Sequence, residues 1–260
     1  MSPAELIGLL GYQVEVLDLV DCGVQPHVLK PEGLARLRAE IDARRPVLVW
    51  HAFTMMEYDV VVGYDEAGLY GRGSYAGLQE YASAAVTHPA TADPVIESYI
   101  IGARVGALEA PSAERAALAE AVRHARDQAN ADKLGGSDWV FLEGLQAYDR
   151  WVCDWASPQR KRGLGDSYCL GIYRSTHRAG AAFLREIAPR YPGAAPSLLA
   201  AAEQMAAEAD ALDACVPLLG WESPEGPDAE RNASAAALLS QARDAYARAI
   251  DALAAALPAL

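Results

Sequence analysis

The hydrophobic positions of this chain change their period near Gly102. Before it, short apolar runs dominate. Val14-Glu15-Val16-Leu17-Asp18-Leu19-Val20 alternates apolar and acidic residues, the period of a half-buried strand. Arg45–Trp50, Glu57–Asp65 and Leu69–Ser74 read as three more strands, and Asp65-Glu66-Ala67-Gly68 as the hairpin turn between the last two, with Gly68 free to take a positive φ. Pro94–Ile101 reads as one further strand. A short helix is predicted between Pro3 and Gly11, and a second over Pro31–Arg44, where Leu34, Leu37 and Ile41 recur at three and four residues. After Gly102 nearly everything is Ala-rich and helix-periodic. Helices are predicted from Ser112 to about Asp132, from Ser137 or Asp138 through Trp155, over Tyr168–Ile187, over Leu198–Leu218 and over Ala233–Leu257, with a basic loop at Pro158–Gly165. No repeat recurs, so a bundle is expected and not a solenoid. The fold class is α+β, divided into residues 1–108 and 109–260.

Composition narrows the partners. The chain has 260 residues, 52% of them hydrophobic, and a formal charge of −13. That is a globular composition. The charge argues against nucleic acid, whose phosphates require clustered Lys and Arg. No apolar run reaches membrane-spanning length, and the first residues carry no basic segment of a secretory signal. Cys22, Cys153, Cys169 and Cys215 have no C-x-x-C spacing, which suggests free buried thiols in a reducing cytoplasm. The five His residues show no metal-binding spacing, so neither metal nor cofactor is expected. Arg160-Lys161-Arg162 reads as a solvent-exposed connection between helices.

The strand segments Arg45–Trp50, Glu57–Asp65 and Leu69–Ser74 resemble the second half of a papain-like cysteine peptidase domain. The type is that of bacteriocin-processing peptidases and of the N-terminal domain of the butirosin biosynthesis protein H-like family. The resemblance continues in Gly144-Leu145-Gln146-Ala147-Tyr148-Asp149-Arg150-Trp151 and in Ala181–Ala188, helical signatures of the same family. It implies a truncated papain-like antiparallel sheet followed by an Ala-rich helical bundle. It also implies that Glu57 stands where those enzymes carry the catalytic His, that Ser74 lies near the position of the orienting carboxylate, and that the half bearing the nucleophilic Cys is missing. Cys22 follows Asp21, and an acidic neighbour raises a thiol pKa, the wrong direction for a nucleophile.

Three functions are therefore weighed. The first is a non-peptidase protein of specialised metabolism that binds a small or peptidyl ligand. The second is an acyltransferase or amidase of the butirosin type whose nucleophile lies in a missing N-terminal segment. The third is a structural interaction module. Catalytic residues are not assigned. The candidate ligand-binding residues are Glu57, Tyr58, Asp59, Arg72 and Ser74 of the hairpin, with Tyr148 and Trp151 of the aromatic helix. Competing roles are plain: Glu57 and Arg72 can pair across the hairpin, and amphipathic helices bury stripes such as Tyr148, Trp151 and Trp155. A sheet this small needs the bundle, or a second copy of the chain, to cover it.

Overall fold

The computed structural model describes residues 3–17, 19–21, 28–50, 52, 58–66, 68–72, 98–106, 110–127 and 142–260. They form two compact units, Met1–Ala113 and Glu114–Leu260. Mixed helix and antiparallel sheet make the chain α+β.

The first unit opens with helix α1 (Pro3–Gly8) and strand β1 (Tyr12–Leu17), then a small pair β2 (Val20–Asp21) and β3 (Val28–Leu29). Helix α2 (Pro31–Asp42) leads into β4 (Val47–Trp50), β5 (Tyr58–Tyr64), β6 (Leu69–Arg72) and β7 (Ser98–Arg104). The five longer strands form one antiparallel sheet in the order β1-β7-β4-β5-β6. Gly68 closes the β5–β6 turn at φ 151°, and its N–H donates to Asp65 Oδ1. Val47 faces Val61, and Val49 faces Asp59, across β4 and β5. Because side chains alternate along a strand, this register puts Val47, Val49, Val61, Ile100 and Leu17 on one face, against Leu37 of α2. Leu34 and Ile41, the other positions of the α2 stripe, pack on the same core.

The second unit is helical: α3 (Ala110–Arg126), which begins four residues ahead of the boundary, α4 (Gly144–Trp155), α5 (Leu164–Ile187), α6 (Ala195–Leu219) and α7 (Ala229–Ala256). Helix α4 packs on α7, α7 on α6, and α6 on α5. Buried Ala201, Ala202, Ala209, Ala235, Ala242 and Ala249 let α6 and α7 approach closely, with Leu198, Leu212, Leu219, Leu239 and Leu253 filling the space between. Asp228 caps α7, its carboxylate accepting from Arg231 N at 3.0 Å.

Two local expectations change. Helix α4 starts at Gly144 and not near Ser137, since Leu142 and Glu143 are non-helical. Gly144 sits at φ 58°, and a Cβ there would lie 2.6 Å from the Ala125 backbone. The chain thus turns tightly against the end of α3, which only glycine permits. The thiols also differ: Cys215 is buried, but Cys153 and Cys169 are exposed.

Candidate functional site

Two clefts stand out, and their chemistry separates them. The larger, about 630 Å³, lies in the sheet unit between β1, β7 and α2. Its charged groups are engaged with one another. Arg36 binds both oxygens of Glu15 at 2.7–3.1 Å, and Glu40 accepts from Arg36 and Arg45. The two guanidinium groups, Arg45 foremost, hold the Glu40 carboxyl down at about 2. Such a self-paired network is architectural.

The smaller cleft, about 330 Å³, lies in the helical unit between α4, α5 and the loop joining them. Helix α4 contributes Tyr148 and Trp151, with Trp155 fully buried behind them; α5 contributes Asp166, Cys169 and Tyr173 at spacings of three and four, one helical face. Asp166 is the organising group. Its Oδ1 accepts the indole N–H groups of Trp151 at 3.0 Å and Trp155 at 2.9 Å. Arg160 Nη2 reaches both of its oxygens at 3.0–3.2 Å, and Gly163 N donates to Oδ2 at 2.8 Å. One buried carboxylate therefore fixes two aromatic rings, one arginine and the start of α5.

The rings of Tyr148, Trp151 and Tyr173 form a triangle with centres 6.2, 5.7 and 6.3 Å apart. The middle of that triangle is about 3.5 Å from each centre, no more than ordinary carbon contact, so no guest lodges between the rings. A guest would lie on the side of the cluster that faces the cleft.

Behind the cluster is a buried polar layer with one contributor or more from each of four helices. Glu208 of α6, 0% exposed, accepts through Oε1 from the Tyr148 hydroxyl and meets His177 Nδ1 at 2.6 Å. The His177 ring stacks on Tyr246 of α7 at 5.0 Å. Because a carboxylate only accepts, His177 Nδ1 carries the proton in this contact. Glu208 Oε2 has no partner among the described residues. Burial, reinforced by the Glu208 carboxylate, pushes the Tyr148 and Tyr246 hydroxyls far above their ordinary range, and burial also raises the Tyr173 hydroxyl. All three therefore remain protonated donors. Although Cys169 is exposed to the cleft, partial desolvation against the cleft wall and the nearby Asp166 raise its thiol, which disfavours a thiolate there.

The basic segment is not a free surface connection. Lys161 is exposed, but the Arg162 side chain is only 7% exposed. Arg162 donates to Ser223 O at 3.1 Å and Ser167 Oγ at 2.8 Å, and Ser167 Oγ donates to Leu219 O at 2.8 Å. Asn232 Nδ2 donates to Ser157 O and Arg160 O, both at 3.0 Å, while Arg231 binds Pro224 O and Gly226 O. The α4–α5 and α6–α7 loops are stitched together.

The residues singled out by sequence separate between the units. Tyr148 and Trp151 come together at the α4–α5 cleft, Tyr148 as core and Trp151 half-buried. Tyr58, Asp59 and Arg72 belong to the sheet unit. Tyr58 packs between Trp50 and Tyr99 on one face of the sheet, while Asp59, 0% exposed, lies on the opposite face with Val49 and Val61. Arg72 is exposed, opposite Val60. Glu57 and Ser74 lie outside the described residues, as do Cys22, His27, His51 and His88. Asp166, Glu208 and His177 are contributors that sequence reasoning missed. Glu208 carried a signal: it falls on the apolar stripe Ala201, Met205, Leu212, Cys215 and Leu219 at helical spacing.

Among the described residues no group of three or more His, Cys, Asp or Glu side chains could hold a metal ion, and no helix is long and apolar enough to cross a membrane. The chain matches no family model, no curated protein and no solved structure.

Proposed function

We propose that the helical unit binds a small ligand in the α4–α5 cleft. The observation that carries this reading is the combination at one wall of a flat aromatic surface with polar groups held in fixed positions by Asp166. Ligand sites have this make-up, and about 300 Å³ is the lower end of their usual size. The motif Gly144–Trp151, which carries the family resemblance, forms one wall of the cleft. That supports placing any butirosin-type ligand, small or peptidyl, here. The assignment of the sheet unit as a papain-like domain is part of the same proposal and rests on the strand motifs around Val47–Trp50 and Tyr58–Asp65.

The test is an NMR titration of the full chain with benzyl alcohol, benzamide and benzoate, following the indole N–H resonance of Trp151. At least one probe is expected to shift it, and Gly165→Phe to abolish the shift. Gly165 lines the cleft, and a Cβ there meets nothing within 4 Å, so a bulky side chain is accommodated at the cleft wall without backbone strain. If no probe moves Trp151, the reading is wrong. An acyltransferase or amidase reading draws on the resemblance; the raised Cys169 thiol speaks against that residue as its nucleophile.

A further inference from the structure

We infer that the cleft is built for an aromatic carboxylate, with the ring lying on Trp151 and Tyr173 and the carboxylate on the guanidinium groups of Arg160 and Arg150. The inference rests on the cleft-binding reading and adds the chemical class of the guest.

It follows from the hydrogen-bonding capacity left at the wall. Each arginine is anchored by one edge and open at another. Arg160 uses Nη2 on Asp166, while its Nη1 meets no acceptor among the described residues and its side chain is 34% exposed; its Nε–H also has no acceptor among them but is too buried for a guest to reach. Arg150 uses Nε on Asp154 Oδ1 at 2.8 Å, and its two Nη groups meet no acceptor among the described residues; its side chain is 66% exposed. The Tyr173 hydroxyl has no acceptor among them either, and burial keeps it a donor. The acceptors are already engaged. Asp166 Oδ1 takes Trp151, Trp155 and Arg160, and Oδ2 takes Arg160 and Gly163. Asp154 Oδ2 is the counterweight, and it would favour a cation. Open donors nevertheless exceed open acceptors, and a guanidinium presents paired N–H groups at the spacing of a carboxylate. The preference must arise at short range, because the charge of −13 repels anions at long range.

A carboxylate of this kind belongs either to a free aromatic acid or to the C-terminus of a peptide ending in an aromatic residue. Both offer the same groups to the wall.

The experiment is calorimetric titration of the full chain with benzoate, its neutral isostere benzamide and the cation benzamidinium. N-acetylphenylalanine and its amide form a second pair. Benzoate is expected to bind about tenfold more tightly than benzamide, the scale of a charge-assisted contact. Arg150→Gln, at an exposed position, should narrow that ratio, and Gly165→Phe should abolish binding of every probe. Equal binding of benzoate and benzamide, with Gly165→Phe still abolishing both, overturns the carboxylate and leaves the cleft standing. Preference for benzamidinium overturns it in favour of Asp154. Binding that survives Gly165→Phe, or no binding at all, overturns the inference and the cleft together. A larger acid-to-amide ratio for N-acetylphenylalanine than for benzoate supports the inference with a peptide C-terminus as its source; the reverse supports it with a free acid.

Discussion

Two buried carboxylates, Glu40 in the sheet unit and Glu208 in the helical unit, are held in opposite ways. In the sheet unit, Glu40 is held by two arginines that lie largely at the surface, so a carboxylate and its counter-charges close on themselves. In the helical unit, Glu208 is held by a phenol and an imidazole, with one of its oxygens left without a partner among the described residues. Asp166 likewise organises its surroundings through neutral indoles as well as Arg160. The first arrangement is indifferent to a guest. The second leaves aromatic faces and arginine edges presented to a cleft. Size alone would have pointed to the sheet unit; the state of the polar groups points to the bundle.

The comparison breaks first at Glu208. Glu208→Ala removes the shared acceptor of Tyr148 and His177 and should destabilise the helical unit by about 2–5 kcal/mol, because it leaves two buried donors unsatisfied at about 1–3 kcal/mol each. Urea unfolding followed by helical circular dichroism measures it, with Glu208→Gln expected to lose less because it retains an acceptor. An unmoved midpoint in both variants would mean that the polar layer does not hold the four helices together. Gly144→Ala comes next. The Cβ would collide with the Ala125 and His124 backbone at φ 58°, so a loss of about 1–3 kcal/mol is expected, read in the same assay. The smallest effect is Glu40→Gln in the sheet unit, about 1 kcal/mol after solvent screening of Arg36 and Arg45. Its pH dependence sharpens the contrast. Folding lowers the Glu40 pKa from 4.5 to about 2, so its contribution is fully present above 4.5 and fades as pH falls towards 2. Wild type and Glu40→Gln should therefore differ at neutral pH and converge in acid. A difference that persists at pH 2 removes the ion pair as its cause.

Much of the fold was legible in local pattern. Leu34, Leu37 and Ile41 gave α2 and its buried face, and Asp65–Gly68 gave the hairpin turn. The starts of α4 and α5 were not. The α4 start depends on a close approach between Gly144 and Ala125, separated in sequence, and the α5 start on Asp166 reaching back to Gly163 ahead of the predicted Tyr168. The candidate site was half visible. Tyr148 and Trp151 declared themselves as an aromatic stripe, but their anchors lie on other helices, and no spacing within one helix shows a partner on another. Arg162 misled for the same reason, since its partners Ser223 and Ser167 belong to a different loop and to α5. Tyr58 and Asp59 show the opposite error. Adjacent in sequence, they were grouped as convergent, whereas the period of two in a strand sends them to opposite faces.

The stitching of the α4–α5 loop to the α6–α7 loop has a consequence for binding. Arg160 stands on a segment whose carbonyls are gripped by Asn232 and whose next arginine is locked into the facing loop. Opening this wall requires several hydrogen bonds to break together, so its amides should exchange with solvent only through cooperative opening. A guest then finds Arg160 already in place and loses little conformational freedom from the protein on docking. Selectivity at such a wall is that of a rigid template: it rejects by shape before it adapts.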